Sequence, residues 1–106
     1  SHQPYRDWVD AMKIKWHPRA NNFWLARLEE PAKVLLKSFD GSYHDSNIGD
    51  LAYVYRNKQQ FAIRFYGSLY SGTHPVERME FATKEKAMAI AEEYATAILA
   101  AKILSR

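Results

Sequence analysis

The sequence has no cysteine, and this absence excludes several kinds of site at once. Disulfides, thiolate zinc sites, iron–sulfur clusters and cysteine nucleophiles all need a thiol that the chain lacks. The chain also has only four glycines and four prolines in 106 residues. No glycine falls in a GxxxxGK or GxGxxG pattern, so phosphate-binding loops of these types are excluded too.

Long apolar runs and a strong net charge are also missing. No run approaches the roughly 20 apolar residues that a membrane-spanning helix needs, and the first residues lack the apolar stretch of a secretory signal. We therefore expect a cytoplasmic protein with no membrane partner. The formal net charge is +3, from 15 Lys and Arg against 12 Asp and Glu. This excess is too small to establish nucleic-acid binding by itself, and it argues against an acidic DNA mimic.

Side chains suited to catalysis or metal binding are scattered along the chain. His17, His44 and His74 fall in three different predicted loops, and no HExxH pattern occurs. Asp45 and Ser42 lie beside His44, but a catalytic triad is a spatial arrangement and not a run of neighbours. We therefore predict no catalytic residues, no metal site and no cofactor. An enzyme built from His44, Asp45 and His74 has the least support.

Aromatic side chains, in contrast, are abundant. Seven Tyr, five Phe and three Trp make up 14% of the chain. Aromatic residues favour β-strands, and Tyr and Trp also favour binding surfaces. The length fits one domain. Because Ser1 and His2 resemble the remnant of a cleaved tag, we expect a single domain over residues 3–106.

Alternating apolar and polar residues predict a set of strands followed by one helix. The predicted strands cover residues 12–16, 23–28, 33–39, 51–55, 61–66 and 78–81, with a turn over 17–22 and polar loops over 40–50 and 67–77. Thr83 is a suitable helix N-cap, and an apolar stripe then runs to about Leu104. This order predicts an α+β fold, in which an antiparallel meander sheet of about four to six strands packs against one long C-terminal helix.

Basic and aromatic residues alternate along the predicted strands, and they suggest a binding surface. A sheet covered by a helix on one side leaves its other side free, where Lys and Arg can neutralise phosphates and aromatic rings can contact bases. The alternative is that these residues form an ordinary solvated sheet face, on which Lys and Arg serve solubility and protect the sheet edge. We favour a non-catalytic module that binds nucleic acid, with these candidate contact residues: Lys15, Arg56, Lys58, Arg64 and Tyr66.

A second hypothesis is an accessory protein that binds a host protein and inhibits or adapts it. Its candidate anchors are Tyr43, Leu69 and Tyr70, which lie in Tyr-rich predicted loops. A homodimer is a further alternative, through a free sheet edge or through the apolar helix stripe at Ile98, Leu99 and Ile103.

The C-terminal half resembles a known kind of module. Residues 61–67, FAIRFYG, and residues 78–87, RMEFATKEKA, are similar to the strand–strand–helix unit of integrase arm-type DNA-binding domains. The resemblance implies a sheet that lies in the DNA major groove with a helix packed behind it. It implies DNA contacts by Arg56, Lys58 and Arg64, and a phage or mobile-element origin. The chain departs from that pattern in its loop over 67–77 and in the strands before residue 51.

Overall fold

The computed structural model describes residues 12–37 and 40–104. Ser1, His2 and the predicted strand end at 38–39 lie outside the described residues. The elements in chain order are β1 (Ile14–Arg19), β2 (Phe23–Lys37), β3 (Tyr43–Asn57), β4 (Gln60–Phe65), a 3₁₀ helix (Pro75–Arg78) and α1 (Lys84–Leu104). The four strands form one antiparallel meander in the order β1-β2-β3-β4. The predicted α+β fold is confirmed.

Two strands are much longer than the sequence pattern predicts. β2 and β3 each have 15 residues, so the predicted separate strands at 23–28 and 33–39 are one strand. The predicted loop over 40–50 is wrong, because β3 begins at Tyr43. Hydrogen bonds to β2 hold this polar segment extended. Ile48 is its completely buried side chain, and Val34 of β2 is completely buried too.

Two register shifts bend the long β2–β3 pair in its middle. Ala26 is opposite Ala52 and Arg27 is opposite Asp50, so one residue of β3 has no partner on β2. The second shift is larger: Ala32 is opposite Ile48, so residues 28–31 of β2 face only Gly49 of β3. Extra residues of this kind bulge out of a sheet and re-aim the side chains beside them. The larger shift accommodates the polar residues 29–31, which include Pro31 and which the sequence pattern places after the end of a strand.

Tight turns join the strands. Residues 20–22 join β1 to β2, and Asn21 and Asn22 both have positive φ, at 65° and 57°, a backbone conformation that Asn tolerates well. The turn predicted over residues 17–22 is confirmed only for residues 20–22, because β1 extends to Arg19. The turn between β3 and β4 is one residue shorter, with only Lys58 and Gln59 between the strands and Lys58 at φ 60°.

The predicted final strand at 78–81 is wrong. Pro75–Arg78 forms a 3₁₀ helix, and only Phe81 makes an isolated bridge, to Phe61. A capping box explains the helix: the Val76 N–H donates to Nδ1 of His74 at 3.1 Å, and the His74 N–H donates to Glu77 at 2.6 Å. These two bonds satisfy donors that a strand would have to pair elsewhere.

α1 covers one side of the sheet. The Lys86 N–H donates to Oγ1 of Thr83 at 3.2 Å, which confirms the predicted N-cap. Every fourth residue on one side of the helix is small, which lets the helix approach the sheet closely. These completely buried residues are Ala87, Ala91 and Ala95, and Leu99 follows them at the same spacing. Since Leu99 packs in this core, it is not available to a homodimer. Within the described ranges, no helix combines the length and apolar character needed to cross a membrane.

Candidate functional site

The sheet has one side against α1 and one side turned away from it, which we call the open face. Trp16 and Trp24 mark the covered side: Nε1 of Trp16 donates to Glu92 of α1 at 3.0 Å, and Nζ of Lys84 lies 4.8 Å from the Trp24 ring centroid. Because side chains alternate along a strand, the residues on either side of Trp24 lie on the open face.

Four aromatic rings from three parts of the chain meet on the open face. We call Phe23, Tyr53, Tyr55 and Tyr66 the aromatic cluster. The Phe23 and Tyr53 rings stack with centroids 4.5 Å apart and 26° between their planes. The centroid of Tyr53 is also 5.9 Å from that of Tyr55 and 5.7 Å from that of Tyr66. Tyr53 is therefore the centre of the cluster.

The aromatic cluster packs against the sheet and is still accessible to solvent. All four rings are half-buried. On the same face, Leu25 and Ala62 are buried although the helix is on the other side of the sheet, so the neighbouring rings shield them from water. Burial also raises the pKa of the Tyr66 phenol above its ordinary value. The result is an ordered aromatic platform with exposed ring surface.

Cations surround this platform. Strand pairing places Arg19 opposite Phe23, Lys15 opposite Arg27, and Arg64 opposite Tyr53, all on the open face. Arg64 is exposed, and its hydrogen bond to Tyr55 raises the pKa of the guanidinium. Arg64 therefore presents a positive charge beside an aromatic ring.

Two of these cations already have carboxylate partners. Nε of Arg27 donates to Oδ1 of Asp50 at 2.6 Å, and Nζ of Lys15 lies 3.7 Å from Oε1 of Glu29. The side chains in both pairs are about 40–60% exposed, and exposed pairs of this kind contribute only ~0–1 kcal/mol to stability. Lys15 can therefore leave Glu29 for another anion with little loss of free energy.

The structure brings together only part of the predicted nucleic-acid site. Lys15, Arg64 and Tyr66 share the open face, as predicted for Arg64 and Tyr66 from strand alternation. Arg56 pairs with Phe61, which contacts Trp24 on the covered side. Nε of Arg56 donates to the backbone oxygen of Lys58 at 2.9 Å. Arg56 and Lys58 thus lie at the end of the β3–β4 hairpin, and Arg56 is on the covered side.

Several open-face residues are not among the predicted contact residues. Strand alternation groups Phe23 with Arg27, and Tyr53 with Tyr55, but the sequence does not say which side the helix covers. Arg19 follows Pro18 in a segment that the sequence pattern interprets as a turn, whereas it is the last residue of β1. Alternation continued to the end of that strand is the signal that could have placed it.

The Tyr-rich loop surface of the host-protein hypothesis does not form as predicted. Leu69 is completely buried in the core. Its backbone N–H donates to the backbone oxygen of Tyr66 at 2.9 Å, and this turn directs the Leu69 side chain inward. It is therefore wrong as a surface anchor. Tyr70 is half-buried, with its ring centroid 5.1 Å from that of His74. Tyr43 is 60% exposed at the start of β3.

The candidate metal-binding side chains of the described residues do not come together. No group of three or more His, Cys, Asp or Glu there could hold a metal ion. His17 lies on β1, His44 lies near the start of β3, and His74 packs against Tyr94 of α1 with ring centroids 5.3 Å apart. These histidines therefore lie in three different parts of the fold.

Comparison with known proteins adds no relative. No protein-family model matches the chain, and neither the curated proteins nor the solved structures give a match. The resemblance to integrase arm-type domains stays a prediction. Any functional conclusion therefore rests on the geometry of the open face.

Proposed function

We propose that this protein is a non-catalytic module that binds single-stranded nucleic acid on the open face of its sheet. The observation that carries the proposal is the aromatic cluster: four touching, half-exposed rings centred on Tyr53, with Arg19, Arg64 and Lys15 on the same face. Single-strand-binding proteins combine such rings with cations that follow the backbone.

The rings suit unpaired bases. Stacking of a base on an aromatic side chain contributes about 1–3 kcal/mol per base, and small four-stranded sheets with exposed aromatics are a recurrent platform for two or three bases. Ring–ring contacts already hold Tyr53 against Phe23 and Tyr66. Because these side chains are ordered before binding, little conformational entropy is lost when a base stacks on them.

The cations suit the phosphates of the same strand. Arg19 and Arg64 lie at two sides of the cluster, and Lys15 lies further along β1. A guanidinium can contact two phosphate oxygens at once, which fixes the register of a strand as well as its charge. Arg64, already held by Tyr55, presents its charge beside the position where a base would stack.

A single strand fits this face better than a duplex does. In a duplex the flat faces of the bases are covered by their neighbours, so rings on a protein surface cannot stack on them. The rings of the aromatic cluster are half-buried and contact one another, so they do not project as a group into a groove. The open face therefore offers its main contacts only to unpaired bases.

Fluorescence anisotropy with labelled oligonucleotides tests the proposal. The probes are single-stranded DNA, single-stranded RNA and duplex DNA of about ten nucleotides, within the roughly 4–16 nucleotides that single-strand-binding folds cover. Three phosphate contacts predict a slope of log K against log salt of about −2, which is a loss of roughly 16-fold between ~50 and ~200 mM salt. The duplex should bind more weakly than either single strand.

Absence of binding to both single strands at the lower salt concentration would refute the proposal. Equal or tighter binding of the duplex would refute the stacking mechanism and favour groove contacts of the kind that the integrase resemblance implies. A partner protein captured by the open face with little salt dependence would favour the host-protein hypothesis in its place.

A further inference from the structure

An open cleft of about 450 Å³ adjoins the open face beside Tyr66. Its walls include Arg27 and Asp50 from the open face, Glu29 from the bulge, and polar residues from β3 and the turn after β4. The carboxylate of Glu29 is paired with a lysine, since Nζ of Lys15 lies 3.7 Å from its Oε1. This volume lies within the range of roughly 300–1,000 Å³ that is typical of small-molecule sites. Because Tyr66 belongs both to the aromatic cluster and to the cleft, a strand stacked on the cluster passes the mouth of the cleft.

The larger register shift in the sheet creates this cleft. Residues 28–31 of β2 bulge opposite Gly49, and the ring of Pro31 packs over that glycine. The bulge separates the flat part of the sheet from the outer part of the β2–β3 pair. Arg27 and Asp50 form the cross-strand pair between the two register shifts, so their side chains stand at the edge of the bulge.

The chemistry of the cleft differs from that of the rest of the open face. The bond of 2.6 Å from Nε of Arg27 to Oδ1 of Asp50 orients the carboxylate and uses only one of the five N–H donors of the guanidinium. A carboxylate is an acceptor and repels phosphate, so Asp50 favours a ligand with N–H donors. Arg27, beside it, favours a carbonyl oxygen on that same ligand.

Among the common bases, guanine carries this combination on one edge. Its ring N1–H and its N2 amino group are adjacent donors that match the two oxygens of a carboxylate, and O6 beside them matches Arg27. We infer that the cleft is a guanine-selective subsite for the nucleic acid bound on the open face, with Asp50 as the reading residue. This inference rests on the proposed function.

Base substitution in the oligonucleotide tests the inference on the unaltered protein. The probes are oligothymidylate, and the same strand with one central guanine, adenine, cytosine or hypoxanthine, each also made as the uridine-based RNA. We expect the guanine probe to bind about tenfold more tightly than the others, because one good bidentate contact discriminates against the wrong base by about that factor. Hypoxanthine lacks the N2 amino group and should lose most of that preference.

A pair of variants on the same strand assigns the preference to Asp50. Asp50→Asn keeps the shape but replaces one acceptor with a donor, so it should abolish the guanine preference. Asp45→Asn removes the same charge at an exposed position on β3 and should leave the preference intact. Thermal unfolding of both variants checks that they fold, since Arg27 and Asp50 are only a partly exposed pair.

The possible results separate the two proposals. Equal affinity for all probes, with binding retained, would overturn the guanine subsite and leave single-strand binding standing. A guanine preference that survives Asp50→Asn would also overturn it, because another group would then read the base. If no probe binds, both the subsite and the proposed function fail.

Discussion

The ring of Tyr53 stacks on the ring of Phe23, with centroids 4.5 Å apart, on the sheet face that the helix does not cover. The two residues come from neighbouring strands and are diagonal partners in the register, a position from which aromatic side chains can reach each other. Two buried helix-facing neighbours, Ala52 and Val54, flank Tyr53 in the chain. The pair therefore stabilises the sheet and leaves ring surface free for a ligand.

Removal of the central ring should weaken binding of single strands. Tyr53→Ala should lower the affinity by about 5- to 150-fold, since one stacked base contributes about 1–3 kcal/mol and 1.4 kcal/mol is a factor of ten. Tyr53→Phe keeps the ring and should bind nearly as well as the unaltered protein. Anisotropy titrations of both variants measure the difference. Equal affinity of Tyr53→Ala and Tyr53→Phe, with both folded, would argue against stacking at this position.

Tyr94→Ala is the matched control for aromatic loss. Tyr94 is 39% exposed, but it lies on α1, on the other side of the sheet, and its ring contacts His74. We expect it to change nucleic-acid affinity little. A loss as large as that of Tyr53→Ala would move the binding surface to the helix side.

The salt dependence should respond to one arginine and not to another. Arg64→Ala should flatten the slope of log K against log salt by about 0.7, because one fewer phosphate is neutralised on a single strand. Arg56→Ala removes the same charge from the neighbouring strand, but on the covered side, and should leave the slope unchanged. Anisotropy at a series of salt concentrations measures both. Equal slopes for the two variants would count against the open face as the phosphate-binding surface.

The sequence pattern divides the side chains of the last strand, β4, correctly into two faces, without saying which face the helix covers. Strand side chains alternate with period two, so Ile63 and Phe65 point to the core while Arg64 and Tyr66 point away. The helix start is equally local, since a Thr side chain bonds to the first turn wherever the rest of the chain lies. Such features depend on neighbours in the chain and on little else.

The features that the sequence pattern misses depend on distant partners. Residues 43–50 are polar and resemble a loop, but their hydrogen bonds to β2 make them a strand. The aromatic cluster unites residues from β2, β3 and the segment after β4, so it exists only once the strand order and the covered side are fixed. Arg56 illustrates the limit: alternation places it on the opposite face from Tyr55, but only the position of the helix shows that this is the covered side.

Leu69 should act in stability and not in recognition. The side chain is completely buried in the core under the turn after β4, so Leu69→Ala should lower the free energy of unfolding by roughly 2–5 kcal/mol. Met79→Ala is the control, because Met79 is 50% exposed and surface changes stay within about 0.5 kcal/mol. Urea unfolding curves compare the two. A Leu69→Ala protein as stable as the unaltered one would contradict this placement.

The stability of the protein should decline at high pH partly through Tyr66. Burial raises the pKa of this phenol above its ordinary value of 10.0. The folded state thus holds the proton more tightly than the unfolded state, so the stabilisation is complete below pH 10 and is lost as the pH rises through the raised pKa. We expect Tyr66→Phe to lose less stability above pH ~10 than the unaltered protein does. Urea midpoints measured at neutral and at alkaline pH would show parallel declines if Tyr66 had no such role.

Nuclear magnetic resonance of the aromatic side chains tests the binding surface most directly. Proton–carbon spectra of the rings are recorded while a single-stranded oligonucleotide of about ten nucleotides is added. The account predicts shifts for the rings of Phe23, Tyr53, Tyr55 and Tyr66, with Tyr94 on α1 unchanged. Shifts confined to Tyr94 or to the tryptophans of the covered side, or no ring shifts at saturating oligonucleotide, would contradict it.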